Sequence, residues 1–141
     1  MSNKAKLSLF AKAYERIIDK YYTDKERYKA YMKLKAEINY QLEEEGYIRI
    51  DKACEEVFNE EQQKEIQELI EPKGLAYNGT IEILNESTTR KYMLQELSTE
   101  TGIGLAIPMD IYRANNVVEE KENEDGTKDL IIKNISYLES R

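Results

Sequence analysis

The chain has no histidine and no tryptophan, one cysteine and two prolines in 141 residues. The missing histidine is the most restrictive of these. Imidazole is the commonest metal ligand and the side chain that ordinarily titrates nearest neutrality, so nucleophile–histidine triads of the usual kind are excluded. With Cys54 as the only thiol, the usual structural zinc sites go too. A lone cysteine rules out an internal disulfide framework and fits a reducing compartment. Long apolar runs are also missing. The longest, such as Leu130 to Ile132, are strand-sized, far below the ~20 residues that span a bilayer, and the first residues contain no apolar signal segment. These absences point to a cytoplasmic protein with no membrane partner, no cofactor, no metal site and no catalytic residues. Only carboxylate chemistry with Mg²⁺ or Ca²⁺ is left open by the side-chain inventory. The expectation is a non-enzyme that works by binding.

Charge is what the chain has in abundance, with 35% Asp, Glu, Lys and Arg and a net charge of −7. It is unevenly spread. Residues 1–40 hold ten Lys/Arg and five Asp/Glu, a net of +5, whereas residues 41–141 hold eleven against twenty-three, a net of −12. Such a division reflects either two kinds of partner or attraction between the two parts.

Leu7, Phe10, Tyr14, Ile17, Ile18 and Tyr21 recur at helical spacing and predict an amphipathic helix over Leu7 to Tyr22. Thr23 to Glu26 fits a capping box for a second helix carrying Tyr28, Tyr31, Leu34, Ile38 and Leu42, with Gly46 as its stop. Together they form a helical hairpin. Tyr47 to Ile50 reads as extended, with Asp51 capping a third helix that contributes Cys54, Val57 and Phe58. Asn59 and Gln62 cap a fourth, which ends at Pro72 and Gly74. Beyond this the period shifts towards two. Ile81 to Leu84 follows the Asn78-Gly79 turn signal, Ile103 to Ile107 is a strand broken by Pro108, and Met109 to Tyr112 makes a single helical turn. Residues 85–97 fit either a helix capped by Ser87 or an extended run from Tyr92 to Leu97. Val117 to Glu122 and Lys128 to Ile135 flank Asp125-Gly126, a strong hairpin signal.

Lys12, Arg16 and Lys20 stand four residues apart on one face of the first helix, and Lys25, Lys29 and Lys33 do the same on the second. Like charges at this spacing destabilise a helix by a few tenths of a kcal/mol per pair. A phosphate-binding face would explain tolerating them. A solvated face relieved by Glu15, Asp19, Glu26 and Glu37 is the plainer account. Seven of eleven tyrosines fall between Tyr14 and Tyr47. Aromatics beside cations can stack on unpaired bases, but Tyr14, Tyr21, Tyr28 and Tyr31 share the apolar stripe and read as core-edge residues. Gly102-Ile103-Gly104 lacks the third glycine and the helix of a dinucleotide loop, and reads as a turn entering a strand. Glu119, Glu120, Glu122, Glu124 and Asp125 fit no EF-hand spacing and read as a solvated strand edge. Cys54 reads as a small buried hydrophobe.

The run Thr101 to Tyr112 (TGIGLAIPMDIY), followed after about a dozen residues by Asn123 to Ile135 (NEDGTKDLIIKNI), resembles the end of the bacterial nucleoid-associated protein family, the NdpA/YejK group. Lys29 to Glu45, Tyr47 to Asp51 and Ala53 to Phe58 resemble that family's long helix, short extended segment and acidic helix. The likeness covers Lys25 to Ser136 and rests on structural residues, so no DNA contact is carried over by it. Family members are longer, which makes this chain a C-terminal domain or a short relative.

The expected fold is α+β: a helical hairpin or bundle of about four helices over residues 1–74, then a three- to four-stranded antiparallel sheet with one possible helix over residues 75–141, packed as one domain. The resemblance implies non-enzymatic association with the bacterial nucleoid. Weak, nonspecific DNA contact would run through Lys12, Arg16, Lys20, Lys25, Lys29 and Lys33. The alternative is an acidic protein-interaction, inhibitory or oligomerisation module without DNA contact, its partner a protein or a second copy of the chain.

Overall fold

The computed structural model describes residues 1–83 and 85–141, which form two compact units, Met1–Tyr92 and Met93–Arg141. The first unit opens with α1 (Asn3–Tyr21), capped by Ser2, whose hydroxyl accepts from the Ala5 amide at 3.1 Å. Its apolar stripe is buried as the spacing requires: Leu7, Phe10, Tyr14, Ile17 and Ile18 all lie in the core. α2 (Asp24–Glu45) follows and stops at Gly46, whose φ is +80°. Thr23 sits at the cap position, but its hydroxyl makes no capping bond; the first turn is held by backbone bonds to the Thr23 carbonyl instead. The expected capping box is therefore not formed here.

β1 (Tyr47–Arg49) runs straight into α3 (Ile50–Glu55). Arg49 is the residue before α3, and Asp51 lies inside its first turn with Oδ1 accepting from the Lys52 amide, so Asp51 is not the cap that the sequence suggested. The capping box at α4 (Glu60–Ile70) is complete: Asn59 Oδ1 accepts from the Gln62 amide at 2.8 Å and Gln62 Oε1 from the Asn59 amide at 3.0 Å. A 3₁₀ turn over Glu71–Lys73 and Gly74 end that helix. β2 (Thr80–Glu82) then pairs antiparallel with β1, placing Ile48 opposite Ile81, both fully buried. Leu84, the last residue of the strand expected there, lies outside the described residues. α5 (Glu86–Thr89) and a 3₁₀ turn over Arg90–Tyr92 close the unit. Buried Tyr92 meets Tyr14 hydroxyl to hydroxyl at 3.1 Å. Cys54 is fully buried, and that burial pushes its thiol up to about 12.

The second unit starts with β3 (Leu94–Ser98) and β4 (Gly104–Pro108), paired antiparallel from Leu94–Pro108 to Ser98–Gly104. Residues 85–97 thus divide between a single turn of helix and a strand. Gly102, at φ +95°, shapes the loop entering β4 and no phosphate cradle follows it. α6 (Met109–Arg113) packs on this hairpin. β5 (Val118–Glu122) and β6 (Lys128–Ile132) make a second hairpin.

The class is α+β, as expected, but the antiparallel strands come as three separate pairs, β1–β2, β3–β4 and β5–β6, in place of one sheet of three or four. β2 is taken by β1, over thirty positions upstream, because Ile81 is buried opposite Ile48 within the first unit's core. β4 turns directly into α6 at Met109 and so is not followed by a neighbouring strand.

The β5–β6 turn is closed by Asn123 N–H to Thr127 C=O at 2.8 Å and Gly126 N–H to Asn123 C=O at 3.1 Å, while Asp125 Oδ1 accepts from the Thr127 amide and hydroxyl. Only Gly126, at φ +86°, is left-handed in it, which makes it a three-residue loop closing on a glycine. A β-branched side chain is strained at that φ. Gly126→Val is expected to destabilise the hairpin by about 1 kcal/mol or more, seen as faster amide exchange at Glu119 and Ile131; exchange at the wild-type rate would show that the turn relaxes at no cost.

Candidate nucleic-acid interface

All six cations of the two ladders are exposed. Once Phe10, Tyr14, Ile17 and Ile18 face inward on α1, the 100° step of a helix carries Lys12, Arg16 and Lys20 outward. Ala30, Leu34 and Ile38 do the same on α2 for Lys25, Lys29 and Lys33. The two ladders have different surroundings.

On α1, Arg16 and Lys20 line an open depression of about 260 Å³ whose other wall is α4, with Glu65, Glu68 and Leu69. Lys20 Nζ forms an ion pair with Glu65 Oε1, and the Tyr21 hydroxyl donates to Glu65 Oε2. These two donors hold the Glu65 carboxyl below its ordinary value, Lys20 first and Tyr21 second, while Glu65 raises both Lys20 and Tyr21. The upper end of this ladder is thus already neutralised by the chain itself. Tyr21, more than a third exposed, belongs to this clamp and not to the core edge where its spacing placed it.

On α2, Lys29 and Lys33 line a groove of about 360 Å³ with Tyr22, Glu26, Ala30 and Val57. Tyr22 is fixed there by its hydroxyl, which donates to the Val57 carbonyl at 3.3 Å. A tyrosine held in place beside two cations offers an apolar face and positive charge together. Among the described lining residues Glu26 is the one carboxylate. Of the other stripe tyrosines, Tyr14 is buried and Tyr31 stacks edge-on against it, ring centres 6.4 Å apart at 70°.

The spacing of the ladders is local and readable in the sequence. Glu65, Glu68 and Val57 are not, since they come from other helices and turns; the acidic composition of α4 was the only signal available. Among the described residues no group of three or more Cys, Asp or Glu is placed to hold a metal ion, and no helix is long and apolar enough to cross a membrane.

Glu65 has a definite pH signature. A carboxyl depressed on folding contributes stability above its unfolded value and loses it as pH falls through the folded one. A carboxyl-carbon NMR titration should therefore place Glu65 below an ordinary glutamate, and Lys20→Met should move it back up. An ordinary midpoint in the wild type would mean that the clamp is not held in solution.

The family described as nucleoid-associated protein YejK matches residues 1–139, taking in both helices of the hairpin as well as the C-terminal block. No curated protein and no solved structure matches the chain. With all but its last two residues inside the match, the chain belongs to the YejK family of nucleoid-associated proteins.

Proposed function

We propose that this chain associates with the bacterial nucleoid without catalysing a reaction, touching DNA weakly and without sequence preference through phosphates. Lys25, Lys29 and Lys33 of α2 are the principal contacts, and Lys12, Arg16 and Lys20 of α1 are secondary. The observation that carries this reading is the exposed, same-sign ladder on α2 beside the Tyr22 groove, in a chain that belongs to a nucleoid-associated family. The α1 ladder ranks lower because Glu65 already engages Lys20, and a phosphate must displace that carboxylate. The net −12 of residues 41–141 keeps the affinity low, because nonspecific binding comes mainly from neutralising phosphates. No cofactor is needed for such binding.

A second reading keeps the family and dispenses with DNA contact: the acidic surface, including Glu60, Glu61, Glu65 and Glu68 of α4, meets a basic protein. The clamp on Lys20 favours it, since a carboxylate row that captures the chain's own lysine can capture another's.

Fluorescence anisotropy with a labelled duplex separates the two. Binding is expected at about 50 mM salt and should weaken steeply as salt rises. Replacing Lys25, Lys29 and Lys33 by alanine should flatten the log–log salt slope by up to about 3, nearly one per lost phosphate contact. Replacing Lys12, Arg16 and Lys20 should flatten it less. No binding at low salt would remove the chain from the direct DNA binders and leave the acidic surface as the working face.

A further inference from the structure

β6 has an open edge. It pairs with β5 alone, and among the described residues nothing hydrogen-bonds its other side as a strand. Lys133 N–H donates to Val117 C=O and Asn123 N–H to Thr127 C=O. With Val118 opposite Ile132, the odd-numbered residues of β6 turn their backbone groups to β5. Lys128, Leu130 and Ile132 therefore direct theirs outward. The side chains are exposed as well: Ile131 keeps 37% and Ile132 45% of its surface in water. A two-stranded hairpin with this much wet isoleucine is marginal by itself, and a flat apolar edge is a template for another strand.

The sequence of β6 says which strand fits. Laid antiparallel on a second copy of itself about a two-fold axis at Ile131, it sets Ile131 against Ile131, Leu130 against Ile132, and Asp129 against Lys133 at both ends. This register also obeys the backbone phase, because Leu130 and Ile132 carry the outward groups and Ile131 falls at a non-hydrogen-bonded pair. Moving the axis to Leu130 sets Asp129 against an isoleucine, and an axis between Leu130 and Ile131 sets Lys128 against Lys133. β5 fits itself less well: a two-fold axis at Glu120 sets that carboxylate against its own copy, and one at Lys121 sets lysine against lysine and Glu120 against Glu122.

We propose that the outer edge of β6 is a self-association surface, on which two copies join their β5–β6 hairpins into one four-stranded antiparallel sheet centred on Ile131. Leu130 and Ile132 of both copies then form a continuous apolar patch on one face, and on the other two Asp129–Lys133 pairs fix the register, each Lys133 exchanging Glu119 of its own hairpin for Asp129 of the second copy. The contact is small beside standard interfaces of about 1,600 Å², so the dimer is weak and concentration-dependent. It does not depend on DNA binding.

Sedimentation velocity on the intact chain from about 10 to 500 µM is expected to show a monomer passing to a dimer, and Ile131→Lys, which puts two lysines face to face on the axis, should abolish it. Ile131→Cys reads the register directly. Facing Cα atoms in a non-hydrogen-bonded pair lie ~4.5 Å apart, within disulfide reach, so mild oxidation with diamide should cross-link this variant at least tenfold faster than Lys121→Cys on β5. Cys54, fully buried, does not compete. A wild-type monomer throughout the range overturns the proposal. So does a dimer that survives Ile131→Lys while Ile131→Cys links no faster than Lys121→Cys, because the copies would then meet elsewhere.

Discussion

The hydroxyls of Tyr14 and Tyr92 meet inside the first unit, joining the middle of α1 to residues 78 positions later. A buried hydroxyl without a partner costs about 1–3 kcal/mol, and each of these supplies the other's hydrogen bond. Burial pushes Tyr92 up to about 12 and Tyr14 higher still, so the pair stays neutral and its contribution persists until strongly alkaline pH. Lys91 lies over both rings, 5.8 Å from Tyr14 and 5.3 Å from Tyr92. With Phe10 edge-on against Tyr14 at 5.2 Å, this knot fixes the rotation of α1 about its own axis. That rotation decides which residues of α1 face water, and Lys12, Arg16 and Lys20 are the consequence.

The proposed DNA contact rests on a competition between charges of the same chain. α1 presents its cations beside α4, whose Glu65 takes Lys20, whereas Lys29 and Lys33 of α2 line a groove with Tyr22 and Glu26. Both ladders carry the same residue types at the same spacing, yet they are not equivalent surfaces. The Glu65 contacts are solvent-exposed and so are screened by salt, and salt that would loosen the proposed phosphate contacts also loosens the clamp that opposes them.

Much of the fold was legible because its punctuation is local. Gly46, the Asn59–Gln62 box, Gly74 and the loop at Gly126 each end or begin an element within four residues of themselves. What the sequence could not show was set at a distance. β2 pairs with β1 across more than thirty positions, so the strands resolve into pairs instead of one sheet. Thr23 has the right neighbours for a capping box and does not use them. The same division runs through the site. The ladders could be read from a four-residue spacing, but Glu65 lies 45 positions from Lys20, and Val57, which anchors Tyr22, lies 35 positions from it. Only packing brings them together.

The ranking of α2 over α1 as the DNA-facing surface is tested most directly by an amide NMR titration of the labelled chain with a short duplex at low salt. The largest shifts should fall on residues 24–34 and at Tyr22 and Val57, smaller ones at residues 12–20, and none on β5. Shifts centred on α4 or on β5, or none on α2 with duplex in excess, would contradict it.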